Sequence, residues 1–211
     1  MHKIAICGKA NTGKNTLANL LYQELQERDS TEFALRHPGS TLQAYSGKFM
    51  AFADPIKEIV MTMFPRANKE CLYGPSRLRA EAIPGAFKND KPLTYRQALI
   101  DIGTEVGRSY SDKVWLENFD HRYEQILVKK NPPNIIIVTD VRFRNEFDHL
   151  KDKGFFQIRL YRDTGAPEIQ HISETGQSSI KDEEFNYVLF NNKSLEDLKE
   201  EVNSQIIPRM I

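Results

Sequence analysis

The sequence has no excess of charge of either sign, no apolar run of membrane length and only two cysteines in 211 residues. Lysine plus arginine equals aspartate plus glutamate at 29 each, so nothing draws the whole molecule toward nucleic acid or an anionic membrane, and any anion site must be local. No window approaches the ~20 apolar residues of a bilayer span, nor is there a basic, then apolar, leader before the first strand. The expectation is a soluble, unprocessed chain of the cytoplasm. Cys7 and Cys71 are far apart, and Cys7 sits in an apolar run, which reads as a buried reduced thiol. No N-K-x-D stands in the chain to read a base, which argues against a nucleotide switch, and no interleaving of basic and aromatic residues suggests a nucleic-acid-processing ATPase.

What is present begins at residue 2. His2 to Cys7 reads as a buried strand and Lys14 to Glu27 as a helix, with Leu17, Leu20, Leu21 and Leu25 at helical spacing. Between them lies GKANTGKNT: Gly8, Lys9, Ala10, Asn11, Thr12, Gly13, Lys14, Asn15 and Thr16. In G-x-x-x-x-G-K-[ST] the glycines let backbone N–H groups turn inward around a phosphate, the helix N-terminus adds its dipole, and the lysine reaches the β- and γ-phosphates. Gly8, Gly13 and Lys14 fit this pattern. Asn15 stands where a hydroxyl normally meets Mg²⁺, and it is the candidate metal contact. The bland alternative is a glycine turn with a surface lysine, but the flanking strand and helix supply the context the motif demands.

Further on, 29–46 reads as a polar connection running into an extended piece at Leu42–Tyr45, and Phe49–Ala53 as a strand leading to a helix with Pro55 in its first turn. Residues 65–92 carry four prolines and two glycines and read as an irregular or partly helical insertion. Helix follows from Thr94 to about Gly107 and again over 112–129. Ile135–Val138 is an unbroken β-branched run typical of a buried parallel strand, with a helix after it. Strands at 155–161 and 187–190 and a closing helix over 194–207 complete an α/β pattern with a mostly parallel sheet around one core.

At the end of the best parallel strand stands TDVRFRNE. Asp140 could hold Mg²⁺ through water or accept from a sugar hydroxyl, and Arg142 or Arg144 could grip a phosphate, although a capped helix start with solvated charges explains the same residues. RQALIDIGTEVGR offers Arg96 and Arg108, about three turns apart on one helix, so both can reach one phosphate only if the helix breaks near Gly103 or Gly107. Trp115 is either core or a platform for a base. Arg77 and Arg79 in the insertion are further candidates. Asp54 can cap a helix or face a ligand, with Lys57 beside it. Arg162 ends a strand before a polar, glycine-containing stretch that reads as a lid over 162–180.

The phosphate loop, AFADPIKE, RQALIDIGTEVGR with VW, TDVRFRNE and HISE, in that order, resemble the deoxynucleoside monophosphate kinases of tailed bacteriophages. The resemblance implies a P-loop NTPase three-layer fold of the adenylate-kinase group, a single domain over 1–211 with an acceptor-binding insertion at 65–93 and a lid at 162–180. ATP and Mg²⁺ would be bound at the loop around Lys14. Asp54, Lys57, Arg96, Arg108, Trp115, Asp140, Arg142 and Glu146 would serve the deoxynucleotide acceptor, and Arg162 would close over the transferred phosphoryl group. His171, Ser173 and Glu174 would support the lid. Partners would be small nucleotides rather than a nucleic-acid polymer or a membrane, with a homodimer left open, and a phage origin would place the protein in a host cytoplasm. A kinase of another phosphorylated small molecule, of the phosphomevalonate or dephospho-coenzyme A type, is the rival reading.

Overall fold

The computed structural model describes residues 1–37, 46–163 and 176–210. Within these the strands are β1 (His2–Cys7), β2 (Gly47–Met50), β3 (Ala82–Lys88), β4 (Lys91–Thr94), β5 (Ile135–Val141), β6 (Phe156–Tyr161) and β7 (Tyr187–Phe190). The helices are α1 (Lys14–Arg36), α2 (Asp54–Met63), α3 (Lys69–Tyr73), α4 (Tyr95–Ile100), α5 (Arg108–Tyr110), α6 (Val114–Leu127), α7 (Arg144–Asp152), α8 (Leu195–Glu201) and α9 (Ile207–Met210). Two compact units divide them: Met1–Met50 with Tyr123–Ile211, and Ala51–Arg122.

The first unit is an α/β layer structure on a five-stranded sheet of order β2-β5-β1-β6-β7, parallel at every pairing. Ile135–Val138 is buried throughout, as an apolar run covered on both faces must be. Ile4, Ile6, Ile135, Ile137, Ile158 and Leu160 pack with Leu17, Leu21 and Leu25 of α1 and with Leu198, Val202 and Ile206 of the closing helical stretch. β1 lies at the centre of the sheet, and its pairing with β5 shifts register between Ala5 and Cys7, directly before the glycine loop. A ligand at the carboxyl end of β1 therefore meets the ends of β5 and β6 as well.

The sequence reading ends α1 at Glu27, whereas the helix runs to Arg36. Beyond Leu25 its side chains are largely exposed, so there is no apolar periodicity to read, but nothing breaks the helix before Pro38. Asp29 explains why this extension docks: it accepts from Asn134 Nδ2 at 3.0 Å and meets His2 Nε2 at 3.2 Å. The extended piece expected at 42–45 lies outside the described residues.

In the second unit, part of the stretch read as irregular is an antiparallel hairpin, β3 with β4. Asn89 and Asp90 turn it, both with positive φ (50° and 59°), the geometry of the turn that matches strand twist. Asn-Asp is a weaker signal than Asn-Gly, which is why the hairpin was not legible. Its apolar residues Ile83, Ala86 and Leu93 pack with Val60, Cys71, Leu72, Tyr95 and Ala98. This cluster belongs to the second unit alone, so the chain has an apolar core in each unit where one was expected. After α4 the chain does not break at Gly103 or Gly107 but widens into a π-helical turn over Asp101–Gly107. Among the described residues, no helix is long and apolar enough to cross a membrane.

Candidate functional site

The loop leaves β1 at Gly8, where a Cβ would sit 2.6 Å from the Leu160 carbonyl of the neighbouring strand, so only glycine fits this approach. It enters α1 through Gly13 at φ 97°, a left-handed conformation that side chains avoid. Between them, Thr12 is 3% exposed, its hydroxyl donating to the Lys9 carbonyl at 3.0 Å. Lys14 folds back over the loop, its ammonium donating to the carbonyls of Gly8 at 2.6 Å and Lys9 at 2.5 Å. Asn15 and Thr16 face outward on the first turn. The loop thus presents one ammonium and a helix N-terminus at the carboxyl end of a central parallel strand, an arrangement that attracts a phosphate.

One tether of this loop has no local signal in the sequence. Asn191, just past β7, donates through Nδ2 to the Thr12 carbonyl at 2.9 Å in a buried position, while its own N–H donates to the Tyr161 carbonyl at 2.8 Å. A residue 179 positions away thereby clamps the middle of the loop to the end of the sheet.

At the end of β5, Asp140 and Arg142 are half-buried. Glu146 is 3% exposed, and its Oε2 accepts from the backbone N–H of Arg142 at 2.8 Å and of Phe143 at 3.2 Å. The carboxylate expected to line an acceptor pocket is the cap of α7, and it holds the backbone of Arg142 in place. Arg144 pairs with Asp148 and Glu184, both at 2.8 Å, which is the helix-face reading of that residue.

Cys7 is fully buried, and its thiol donates to Gln177 Oε1 at 3.2 Å. Burial pushes this thiol up to about 11; Arg159, Lys14 and Arg142 oppose the shift and Glu146 adds to it. Those charges therefore surround the end of β1. Arg159, 8% exposed, donates to the carbonyls of Ile180 at 2.6 Å and Gln177 at 3.5 Å and pairs with Asp182 at 3.3 Å. It anchors the last residues of the expected lid, Gln177 and Ile180, and Asp182 just after it. Arg162, by contrast, is exposed at the end of β6. Residues 164–175 of the expected lid, with His171, Ser173 and Glu174, lie outside the described residues.

The second unit carries the remaining candidates. Asp54 accepts from the Ala51 N–H at 3.0 Å and pairs with Lys57 at 3.0 Å, so its turn-closing role is visible. Lys57 also lies 4.7 Å over the ring of Tyr73. Arg96 donates to the Ser76 carbonyl at 3.2 Å, Arg108 to the Asp112 carbonyl at 3.4 Å, and Arg79 to the Leu72 carbonyl at 3.3 Å. Trp115 is 6% exposed and donates its indole N–H to the Gly103 carbonyl at 2.7 Å. Within its unit it is packed as core, one of the two readings the sequence left open, and it does not present a free ring face as a platform would. Among the described residues no group of three or more His, Cys, Asp or Glu is placed to hold a metal.

A glycine loop with an inward lysine on a parallel sheet defines a class of phosphate-binding α/β proteins. Residues 78–202 match the family described as deoxynucleotide monophosphate kinase, and the chain belongs to that family. A protein of Acanthamoeba polyphaga mimivirus, provisionally titled deoxynucleotide monophosphate kinase, is 30% identical over 161 residues, 73% of this chain and 80% of that protein. The crystal structure of TT1252 from Thermus thermophilus covers 99% of the chain and 98% of its own at 16% identity and a TM-score of 0.42, too distant to bear on the site.

Proposed function

We propose that the protein transfers the γ-phosphoryl group of ATP to the 5′-phosphate oxygen of a deoxynucleoside monophosphate, giving the diphosphate and ADP. The observation that carries this reading is the Lys14 ammonium held over the loop carbonyls of Gly8 and Lys9, at the carboxyl end of the central strand, in a chain of this family. An entering triphosphate would exchange those two carbonyls for phosphate oxygens without moving the lysine far. In the reaction a bond forms between an acceptor phosphate oxygen and Pγ while the bond from Pγ to the β-bridging oxygen breaks, and ADP leaves with that electron pair. The acceptor oxygen is already ionised at neutral pH and needs no base. Catalysis reduces to bringing two anions together and neutralising charge.

Lys14 and the loop N–H groups would bind the donor phosphates. Arg142, its backbone fixed by Glu146, would take the acceptor phosphate, with Asp140 beside it on β5. Arg162, exposed at the end of β6, would neutralise charge on the transferred phosphoryl group. Mg²⁺ fits the donor set, because it needs only one or two protein oxygens besides phosphates and waters, and Asn15 and Thr16 offer such oxygens on the first turn of α1. When bound it neutralises charge on the phosphates. Partners on this reading are small nucleotides.

The test is ADP release from ATP and Mg²⁺ with each of dAMP, dGMP, dCMP and dTMP, their ribose counterparts and no acceptor. Stimulation by one or more deoxynucleotides is the expected result. Turnover indifferent to acceptor, or stimulated only by a phosphorylated compound without a base, would remove the reading.

A further inference from the structure

In the first unit, the segment from Gly176 to Asp182 lies against the carboxyl ends of β5, β1 and β6, and one arginine grips it at three points. Arg159, 8% exposed, donates to the carbonyls of Gln177 at 3.5 Å and Ile180 at 2.6 Å and pairs with Asp182 at 3.3 Å. The rings of Tyr161 and Phe185 lie 5.1 Å and 5.2 Å from its guanidinium carbon. Taking a guanidinium out of water costs what a hydrocarbon does not, and pairing it returns little net stability. What it supplies is a planar fork of N–H donors, which the carbonyls around the single tight turn Gly176–Ser179 can accept and which no apolar side chain could offer.

The gripped segment meets the phosphate site on two sides. Gln177, 2% exposed, accepts from the thiol of Cys7, the last residue of β1 before the glycine loop. Gly176 faces Arg142: a Cβ there would stand 3.2 Å from the Arg142 carbonyl oxygen and 3.2 Å from Phe143 Cδ1, tighter than side chains ordinarily pack. Glu146 holds the same backbone from its other end, accepting from the Arg142 N–H at 2.8 Å. The main chain of Arg142 is therefore fixed twice, its N–H by α7 and its carbonyl by the segment that Arg159 anchors.

We infer that Arg159 is a positioning residue: by anchoring 177–182 it seats Gly176 against the Arg142 carbonyl, and so fixes the backbone from which Arg142 reaches the acceptor phosphate. Its action is indirect, because its donors face Gln177, Ile180 and Asp182. The acceptor's part in this rests on the proposed function, whereas the seating of Arg142 does not. Two variants test it. Arg159→Lys keeps the charge and removes the planar fork; Gly176→Ala leaves Arg159 untouched and presses on the Arg142 carbonyl directly. For each, the KM values for the acceptor deoxynucleotide and for ATP, and amide exchange at Arg142, Phe143 and 177–180, are measured on the full chain.

The expected result is an acceptor KM raised about tenfold in Arg159→Lys and about threefold in Gly176→Ala, with the ATP KM within about twofold of wild type and exchange at Arg142 and Phe143 about tenfold faster. In an Arg142→Ala background, Arg159→Lys should cost less than about twofold more in acceptor kcat/KM, since it acts through Arg142. An acceptor KM unmoved by Gly176→Ala would overturn the inference, as would equal rises in both KM values or losses that multiply with Arg142→Ala. Should Arg159→Lys fail to fold, Gly176→Ala decides by the same readings. If no deoxynucleotide stimulates wild type, the proposed function falls and the acceptor role of Arg159 falls with it. Exchange at Arg142 and Phe143 then separately decides whether Arg159 seats that backbone.

Discussion

Lys14 holds its ammonium against two carbonyls of its own loop, so its charge is placed before any ligand arrives. Lys14→Ala should leave the fold intact and lower kcat/KM by about a hundredfold or more, as loss of a preorganised charge at a transferring phosphoryl group does. Thermal melting alongside steady-state rates checks this, and retained turnover would exclude the loop as the donor site. Gln157 gives the opposite kind of prediction. It is fully buried in β6, and among the described residues neither its Nε2 nor its Oε1 finds a hydrogen-bond partner. Gln157→Met conserves volume and removes the unsatisfied amide, so the protein should gain about 1 kcal/mol, or roughly 3 °C in melting temperature. A loss of stability would mean that the amide has a partner, such as a buried water.

At the scale of elements, the site depends on joints between segments remote in sequence. Strand, loop and first helix were legible because their signals are local: a short apolar run, two spaced glycines, leucines at helical spacing. Nothing local marks the Asn191 tether, since an asparagine after a strand reads as a turn. Asn191→Ala should free the middle of the loop and raise the ATP KM by about five- to tenfold, with the acceptor KM changed less than about twofold. An unchanged ATP KM would show that the loop holds its shape without the tether. The hairpin at Asn89–Asp90 and the π turn were illegible for related reasons. One uses a turn pair with weaker statistics, and the other depends on a tryptophan hydrogen bond that periodicity does not contain. Glu146 was assigned to the acceptor pocket by resemblance, and its capping role needs the geometry of its Oε2 to two backbone N–H groups.

For the molecule as a whole, the buried Cys7 thiol links folding to alkaline pH. Its ordinary value of 9.0 is raised to about 11 in the folded state, chiefly by burial, so between those values the unfolded chain has lost a proton that the folded chain keeps. With more protons bound in the native state, stability falls as pH rises. The contribution is complete below about pH 9 and lost by about pH 11, roughly 2–3 kcal/mol for a shift of this size. Denaturant titrations from pH 8 to 11 should show a steeper decline for wild type than for Cys7→Ala, and parallel slopes would mean that the thiol is not protected by the fold.

By itself the sequence determined the α/β class, the central strand with its glycine loop and lysine, and membership of a nucleotide kinase family. Each rests on spacing along the chain, and hydrophobic periodicity and glycine geometry act over a few residues. Only the tertiary structure decided that Glu146 caps a helix, that Trp115 braces a π turn within its own unit, and that Asn191 clamps the loop. Those roles depend on which backbone groups are left unpaired once strands and helices have packed, and buried N–H and carbonyl groups take partners from wherever the fold brings a side chain.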